Sequence, residues 1–225
     1  PKGQFTPGIY ELVFEAGAYE GVATAPRDVL LASSDAVLLL KPTPADLLAM
    51  REGAIHWGWP HAVQQHAIAD AAIARRLTLV AFEAMFEGGV HTFHRNNELA
   101  GYAAIGHALA LRGLDGHYGR PLSAVVLGHG ACAKGALRGL AAVGVADVTV
   151  CLPAGPDVPA VPHVRVRRAG DRMVEADGAP LFPRLARADV VVNAVLQDPL
   201  APVTFVDAGE LERLRPGALI VDISR

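Results

Sequence analysis

Short apolar runs alternate along the chain with longer segments in which apolar residues recur at helical spacing. Residues 35–41 form a run that is apolar between its two ends, which predicts a strand covered on both faces, as in a parallel sheet. Strands are also predicted at 54–59 and 77–83, with a helix at 61–76 that begins after Pro60. This order predicts a flavodoxin-like βαβ domain over residues 1–96.

A second group of elements follows a long predicted helix. Asn96 or Asn97 can cap this helix and Gly113 can end it, so residues 97–119 are expected to bridge two domains. Beyond it the pattern predicts strands at 123–128, 146–152, 163–168, 188–196 and 218–224, and helices at 132–144 and 207–217. This alternation predicts a Rossmann-type doubly wound domain over 120–225, and hence a two-domain α/β protein.

Composition narrows the classes of function. The 225 residues are 52% hydrophobic and carry a formal net charge of −3, without the basic excess of a nucleic-acid-binding protein, so no nucleic-acid partner is expected. No apolar run approaches the ~20 residues of a membrane span, so no membrane association is expected. Cys132 and Cys151 have neither disulfide-framework nor metal-ligand spacing, which predicts a reducing, cytoplasmic setting and no metal site.

The pattern of predicted strands and helices is cut off at both ends of the chain. The chain starts at Pro1 and stops at Arg225 in the last residues of a predicted strand, so we expect it to belong to a longer protein. The joins at 14–23 and 83–91 are abrupt, and we expect loop residues to be absent there.

The stretch GHGACA at 128–133 fits the GxGxx[GA] pattern between a predicted strand and a predicted helix. Gly128 permits the tight turn, Gly130 lets the backbone approach a pyrophosphate, and Ala133 lets the helix pack closely on the strand. The first helical N–H groups, at Ala131 and Cys132, add donors and the positive end of the helix dipole. The alternative is a bare tight turn, but the strand–turn–helix context favours dinucleotide binding.

The choice between NAD and NADP depends on the strand that follows. An acidic residue ~20 positions after the glycines would bind the ribose 2′-hydroxyl of NAD. Cys151, Leu152 and Pro153 stand at that place, which favours NADP(H) over NAD(H). Arg165, Arg167 and Arg168 could meet a 2′-phosphate or, equally, form a solvated edge strand.

Six stretches, taken in order and spacing, resemble a known superfamily. They are LLLKPTPADL (38–47), HWGWPHAVQQ (56–65), FHRNNELAGYAAIGHAL (93–109), VVLGHGACAKGA (125–136), ADVVVNAVLQDP (188–199) and RPGALIVDIS (215–224). Together they resemble the alanine dehydrogenase/transhydrogenase superfamily, and within it the opine-type N5-(carboxyethyl)ornithine synthases. Alanine dehydrogenases usually insert a Gly-rich hairpin before the nucleotide-binding strand, whereas the link at 112–128 is direct, which favours the opine-type branch.

The resemblance implies an NAD(P)H-dependent reductive condensation of a 2-oxo acid, such as pyruvate, with the amine of an amino acid through an imine. It also implies a homo-oligomer. Such a reaction needs a cation for the carboxylate of the oxo acid, an acid/base for the carbonyl, and a hydride donor facing the imine carbon.

Lys41 and His61 are the candidate catalytic residues. Lys41 follows the apolar strand at its carboxyl end, and the resemblance implies that it grips the oxo acid; otherwise it is a solvated loop lysine. His61 stands where the predicted helix begins, and the resemblance implies that it exchanges a proton with the carbonyl oxygen. The alternative for His61 is a capping or packing role.

Further contacts are implied at the bridging helix and at the fourth strand of the second domain. Arg95 could clamp the carboxylate of the amino acid bidentately, and Asn97 would touch substrate or the nicotinamide ribose. The alternative is a solvated arginine beside a capping asparagine. Asn193 and Val195 end the strand at 188–196, where the resemblance implies cofactor contacts, against a plain turn asparagine.

Three alternatives to the opine-type reaction stay open. With ammonia as the amine, the chain would be an alanine dehydrogenase, which Lys41 and His61 allow but the missing hairpin disfavours. The second is a nucleotide-binding module without turnover, and the third is a relative that reduces a different C=N bond. The superfamily also carries an arginine in an opening segment and an aspartate after VDIS, and neither has a counterpart in the chain, which ends at Arg225.

Overall fold

A computed structural model describes residues 25–155, 161–198 and 201–223. Contacts divide the chain into one compact unit up to Thr92 and a second from Phe93 onward. The join expected at 14–23 lies outside the described residues. The bridging role expected for residues 97–119 stays a prediction.

The first unit is built on a parallel sheet. Its strands are β1 (Ala36–Leu38), β2 (Ile55–Gly58) and β3 (Thr78–Ala81), in that spatial order; its helices are α1 (Arg27–Ser33), α2 (Pro44–Ala49) and α3 (His66–Ala74). A 3₁₀ turn (Phe82–Ala84) and an antiparallel hairpin of β4 (Phe86–Glu87) and β5 (Val90–His91) follow β3. The helices bury Leu47, Met50 and Ile68 between themselves and the sheet.

Two expectations for this unit were wrong in detail. The strand predicted at 35–41 is shorter and not covered on both faces, because Leu38 is 64% exposed at the sheet edge. The helix predicted from residue 61 begins only at His66, because residues 61–64 form turns instead. The join at 83–91 is a hairpin in which Gly88 and Gly89 take left-handed conformations, and the absence of loop residues there stays a prediction.

The second unit is a Rossmann-type domain, so the predicted fold class is confirmed. Its strands are β6 (Ser123–Leu127), β7 (Asp147–Leu152), β8 (His163–Ala169), β9 (Arg172–Glu175), β10 (Val190–Asn193) and β11 (Leu219–Asp222). Its helices are α4 (His94–Arg112), α5 (Ala131–Ala142), α6 (Phe182–Arg187) and α7 (Ala208–Leu211). The sheet order is β11-β10-β6-β7-β8-β9, and only the edge strand β9 is antiparallel to its neighbour.

The two faces of this sheet carry separate cores. Side chains of β6, β7 and β10 alternate between the face under α4 and α5 and the face under α6. The strand–helix alternation was predicted, but β9 and α6 were not. The strand predicted at 188–196 ends at Asn193, and the helix predicted at 207–217 is only the short α7.

Helix α4 packs along α5 through glycines. A Cβ atom at Gly101 would lie 1.9 Å from the Cys132 carbonyl oxygen, and one at Gly135 would lie 1.8 Å from that of Glu98. Because no side chain fits there, the two backbones approach closely and bury Ile105 and Leu109. The helix begins after Phe93, so the capping expected from Asn96 or Asn97 is wrong, whereas Gly113 ends it at φ 61° as expected.

A buried carboxylate ties the amino-terminal ends of the strands together. Asp189 accepts two hydrogen bonds from Arg120 (2.6 and 3.0 Å) and one from the Ser123 N–H (2.9 Å), and pairs with Arg215 at 3.0 Å. The bond from Arg120 is the main cause that lowers the pKa of Asp189 to about 2. This cluster fixes the edge of the sheet opposite to the glycine loop.

None of the described helices has the length and apolar character to cross a membrane.

Candidate functional site

The glycine loop follows β6, the strand at which the order of the sheet reverses. Gly128 has φ +92°, and its N–H donates to the Cys151 carbonyl oxygen at 2.9 Å. A Cβ atom there would lie 3.2 Å from the Ala194 oxygen and 3.3 Å from Val195 Cγ2. Glycine is therefore required at position 128 both by the backbone conformation and by the close approach of the loop after β10.

The loop after β10 brings Asn193 and Val195 to the same place. Asn193 donates from Nδ2 to Asp222 Oδ1 at 3.2 Å, and its Oδ1 accepts the Val195 N–H at 3.3 Å. The asparagine thus shapes the loop that carries Val195 against Gly128. The structure brings together the residues that the sequence named on two separate strands.

Helix α5 begins directly after the loop with Gly130 as its N-cap. A Cβ atom at Gly130 would meet nothing within 4 Å, and no side chain caps the helix within the described part of the chain, so its first N–H groups remain available. Ala133 is fully buried against the sheet, as the third position of the pattern requires. Burial raises the pKa of the Cys132 thiol, which favours packing over reactivity for this side chain.

Two polar residues of the loop and helix were not singled out from the sequence. His129 lies between the two glycines, and partial burial, with the charge of Lys134 second, lowers its pKa. Lys134 is exposed one turn into α5. Their position inside and just after a phosphate-binding pattern is the signal that could have identified them.

The three candidate arginines occupy different places. Arg165 lies opposite Leu152 in the β7–β8 register and donates from Nη1 to the Pro153 oxygen at 2.8 Å. Arg167 and Arg168 are further along β8 and donate to carbonyl oxygens of the edge hairpin and of Ala201. Arg165 is therefore the one of the three that reaches the end of β7.

Two cavities open on the second unit. An apolar one of about 120 Å³ adjoins Gly128 and is lined by Val166, Met173, Val195 and Phe205 among others. A larger one of about 310 Å³ lies at the opposite end of the strands, where β6 and β7 begin, and is lined partly by Glu175 and Arg184, which pair with each other. The smaller cavity is the one beside the glycine loop.

The first unit carries a second cluster, at the carboxyl edge of its parallel sheet. Lys41, His61 and Glu83 follow β1, β2 and β3 in turn. Pairing between β1 and β2 continues past the strands, since the Trp59 N–H donates to the Leu40 oxygen at 2.7 Å. Parallel strands present their carboxyl ends at one edge, and this edge of an open α/β sheet is where ligands bind.

Lys41 and His61 differ in their surroundings. Lys41 is exposed and makes no hydrogen bond or ion pair with any residue that the structure describes. His61 is half-buried, has φ 49°, and donates its N–H to Glu83 Oε1 at 2.7 Å. The sequence pattern placed both residues at this edge but did not single out Glu83, which the same edge rule could have identified at the end of the strand predicted at 77–83.

Behind His61 lies a cluster of rings. Trp59 stacks on His61 with 6.2 Å between ring centroids, and packs edge-on against Phe82 at 5.7 Å. His56, expected in the strand, is fully buried in β2 and donates from Nε2 to the Leu39 oxygen at 3.0 Å. Its burial lowers its pKa, which favours the neutral ring.

Arg95 and Asn97 lie in the second unit, in the first turns of α4. Arg95 is exposed and Asn97 is half-buried. Since α4 begins at His94, both are helical residues rather than caps. Their role in substrate binding stays a prediction.

Comparison with known proteins gives a consistent likeness. No protein-family model matches the chain. It is 27% identical over 246 residues to an alanine dehydrogenase from Mycolicibacterium smegmatis, a match that spans 96% of this chain and 64% of that protein. The chain therefore corresponds to less than two thirds of the length of this relative.

Solved structures agree in fold. A transhydrogenase from Sinorhizobium meliloti superposes with a TM-score of 0.56 at 18% identity, covering 86% of this chain and 59% of that one. An L-alanine dehydrogenase gives 0.52 at 18% identity, covering 90% and 58%. The closer likeness to N5-(carboxyethyl)ornithine synthase stays a prediction. The chain is thus alanine dehydrogenase-like in sequence and Rossmann-like in fold.

Proposed function

We propose that the chain belongs to an NAD(P)H-dependent oxidoreductase that condenses a 2-oxo acid with the amine of an amino acid and reduces the resulting imine. The observation that carries the proposal is the pair Lys41 and His61, a cation and a candidate acid/base at the carboxyl edge of a parallel sheet, in a chain whose other unit has a glycine turn between a strand and a helix. The alanine dehydrogenase-like sequence supports the same class of reaction.

Each residue of the first unit has a task in this reaction. The exposed ammonium of Lys41 would hold the carboxylate of the oxo acid. When the amine has added to the carbonyl carbon, the carbinolamine must lose its hydroxyl group to form the imine. The imidazolium of His61 would donate a proton to that oxygen, which leaves as water, with a gain in rate typically of ~10²–10⁴.

The second unit would hold the dinucleotide. The loop fits a pyrophosphate, since Gly130 is open and the first N–H groups of α5, at Ala131 and Cys132, are uncapped. The apolar cavity beside Gly128 and Val195 would take the adenine ring. The bound nicotinamide supplies the hydride for the imine carbon.

We further propose that NADP(H) is preferred to NAD(H). The acid that would bind a ribose 2′-hydroxyl is absent at the end of β7, and Arg165 reaches that end. Arg165→Leu is then expected to weaken NADPH binding by roughly 10- to 100-fold, the value of a charge-assisted bond, and to leave NADH binding unchanged. Arg167→Leu, an exposed arginine on the same strand, is the control, and fluorescence titration measures both. An equal loss for both cofactors would contradict this assignment.

The amino acid would bind through its carboxylate. Arg95 carries an exposed planar guanidinium that suits bidentate binding of that group, and Asn97 follows two residues later in the first turns of α4. The oxo acid and the amino acid are thus the proposed partners of the chain. A homo-oligomer stays a prediction.

The experiment is a turnover assay on the full-length protein. Oxidation of NADPH and NADH is followed with pyruvate and either ammonia or a panel of amino acids led by ornithine and lysine. Turnover with an amino acid but not with ammonia supports the proposal. His61→Ala should then lower kcat at least ~100-fold, whereas His66→Ala, an exposed histidine at the first position of α3, should leave it unchanged.

Alanine dehydrogenase activity is the second candidate, favoured by the name of the relative that the chain matches. Turnover with ammonia alone would establish it. Tight NADPH binding without turnover on any substrate would favour a nucleotide-binding module instead and overturn both catalytic proposals.

A further inference from the structure

One carboxylate oxygen contacts His61 at two points. Glu83 Oε1 accepts the His61 N–H at 2.7 Å and lies 3.8 Å from the ring nitrogen Nδ1. The residue thus reaches both the backbone and the side chain of the proposed catalytic histidine. It does so from a separate strand end, 22 residues along the chain.

The backbone of His61 is strained. Its φ of 49° lies in the left-handed region, which costs a residue with a Cβ about 1–2 kcal/mol. Such a conformation persists where surrounding contacts fix it. The short hydrogen bond to Glu83 is such a contact, and it turns the chain away from the helix predicted to start here.

The ring of His61 is held from two sides. The Trp59 indole stacks on it at an interplanar angle of 26°, and the carboxylate of Glu83 lies at the Nδ1 edge. Glu83 itself belongs to the 3₁₀ turn whose buried Phe82 packs against Trp57 and Trp59. The position of the carboxylate is therefore fixed by the same aromatic cluster that fixes the ring.

The second oxygen of Glu83 does not itself add to stability. Oε2 is buried without a hydrogen-bond partner among the described residues, and a buried polar atom left unpaired costs free energy. His56 Nδ1 is buried without a partner in the same part of the structure. Because His56 donates from Nε2 to Leu39, its neutral ring presents an acceptor at Nδ1 and offers Glu83 no proton.

The neighbouring histidines have contacts other than Glu83. Burial lowers the pKa of His56, against the hydrogen bond to Leu39 and the charge of Glu83. His91, on β5, donates from Nε2 to the Phe82 oxygen, and its ring lies against Trp59. The ring nitrogen Nδ1 of His61 is the one that lies 3.8 Å from the Glu83 carboxylate.

We infer that Glu83 is the positioning residue for His61: it fixes the backbone in its strained conformation and orients the ring. The inference rests on the proposed role of His61 as the acid, whose ring must face the oxygen that it protonates.

The test removes the hydrogen-bond acceptor and then restores it. Glu83→Ala leaves the His61 N–H without its acceptor, whereas Glu83→Gln keeps an oxygen that can accept it. In ¹³C-histidine NMR spectra at one pH, we expect the His61 ring signal to lose the ring-current shift of the stacked Trp59 in Glu83→Ala and to keep it in Glu83→Gln. The alanine variant should also lower kcat by roughly 10-fold with KM little changed, and the glutamine variant should recover most of that loss. Glu87→Ala, on an exposed residue of the neighbouring hairpin, is the control and should change neither the signal nor kcat.

Three outcomes decide the matter. An unchanged His61 ring signal in Glu83→Ala overturns the inference. A changed signal in a protein that turns over none of the substrates supports the positioning role and refutes the proposed function. Should the alanine variant not fold, Glu83→Asp shortens the side chain by one methylene group, and a His61 signal equal to that of the wild type would count against Glu83.

Discussion

The contact between α4 and α5 predicts a large effect for a very small substitution. In Gly135→Ala the added Cβ would lie 1.8 Å from the Glu98 oxygen and 2.6 Å from its carbonyl carbon, where real Cβ atoms stay beyond 3.0 Å. Both partners are backbone, so no side chain can turn aside. The helices must separate by more than about 1 Å.

The loss of stability depends on the core residues that this separation loosens. Ile105 and Leu109 are fully buried on the α4 side and pack on Ala133, Ala136 and Leu140. Overpacking of a filled core costs ~1–3 kcal/mol, and rigid partners put this case at the upper end. Because alanine has a higher helix propensity than glycine, the substitution also adds up to ~1 kcal/mol of stability. We expect a net loss of about 2 kcal/mol, which corresponds to a fall in Tm of about 4–8 °C for a chain of this size.

A second glycine supplies the matched control. Gly106 lies in the same α4, and a Cβ atom there would meet nothing within 4 Å. Gly106→Ala should therefore raise Tm by a few degrees through helix propensity alone. Thermal melts followed by circular dichroism, with urea titrations at neutral pH, measure both variants. If Gly135→Ala is as stable as Gly106→Ala, the close approach of the two helices is wrong.

Three further predictions concern single side chains. Asp189→Asn should lower the free energy of unfolding by about 2 kcal/mol at pH 7, because the pKa of Asp189 is lowered from 3.8 to about 2. In urea titrations, the difference from the wild type should disappear as the pH falls from about 4 to 2. A difference that does not change with pH would refute the pairing. His61→Gly should be about 1 kcal/mol more stable than His61→Ala, because glycine tolerates the left-handed backbone; equal Tm values would argue against the strain. Gly128→Ala should cost about 1–2 kcal/mol in stability and weaken NADPH binding in a fluorescence titration, since its Cβ meets Ala194 and Val195; unaltered binding would exclude a role for the turn.

Local signals were sufficient for the Rossmann-type unit. The turn at Gly128 could be predicted from the spacing of its glycines together with the strand before them and the helix after them. All of these signals lie within about a dozen residues of one another. The edge hairpin was missed although Gly170 and Asp171 form a two-residue turn between β8 and β9, a common hairpin signal. Helix α6 was missed because its six residues are too few for periodicity to show.

Tertiary contacts decided the rest. The segment from Pro60 to Gln65 carries helix-compatible residues, yet its chain turns because Glu83 takes the His61 N–H. That bond depends on the pairing of β2 with β3, which no local pattern contains. For the same reason the sequence could place Lys41 and His61 at one edge of the sheet but could not show that the Glu83 carboxylate contacts His61.

Both tryptophans of the chain, Trp57 and Trp59, lie in the first unit, and Trp59 stacks on His61. Indole emission is quenched by a nearby imidazolium and far less by neutral imidazole. The intrinsic fluorescence of this protein therefore responds, without a label, to protonation of the two imidazoles that contact Trp59, those of His61 and His91. It also reports unfolding of the first unit separately, because the second unit contributes no tryptophan to the signal.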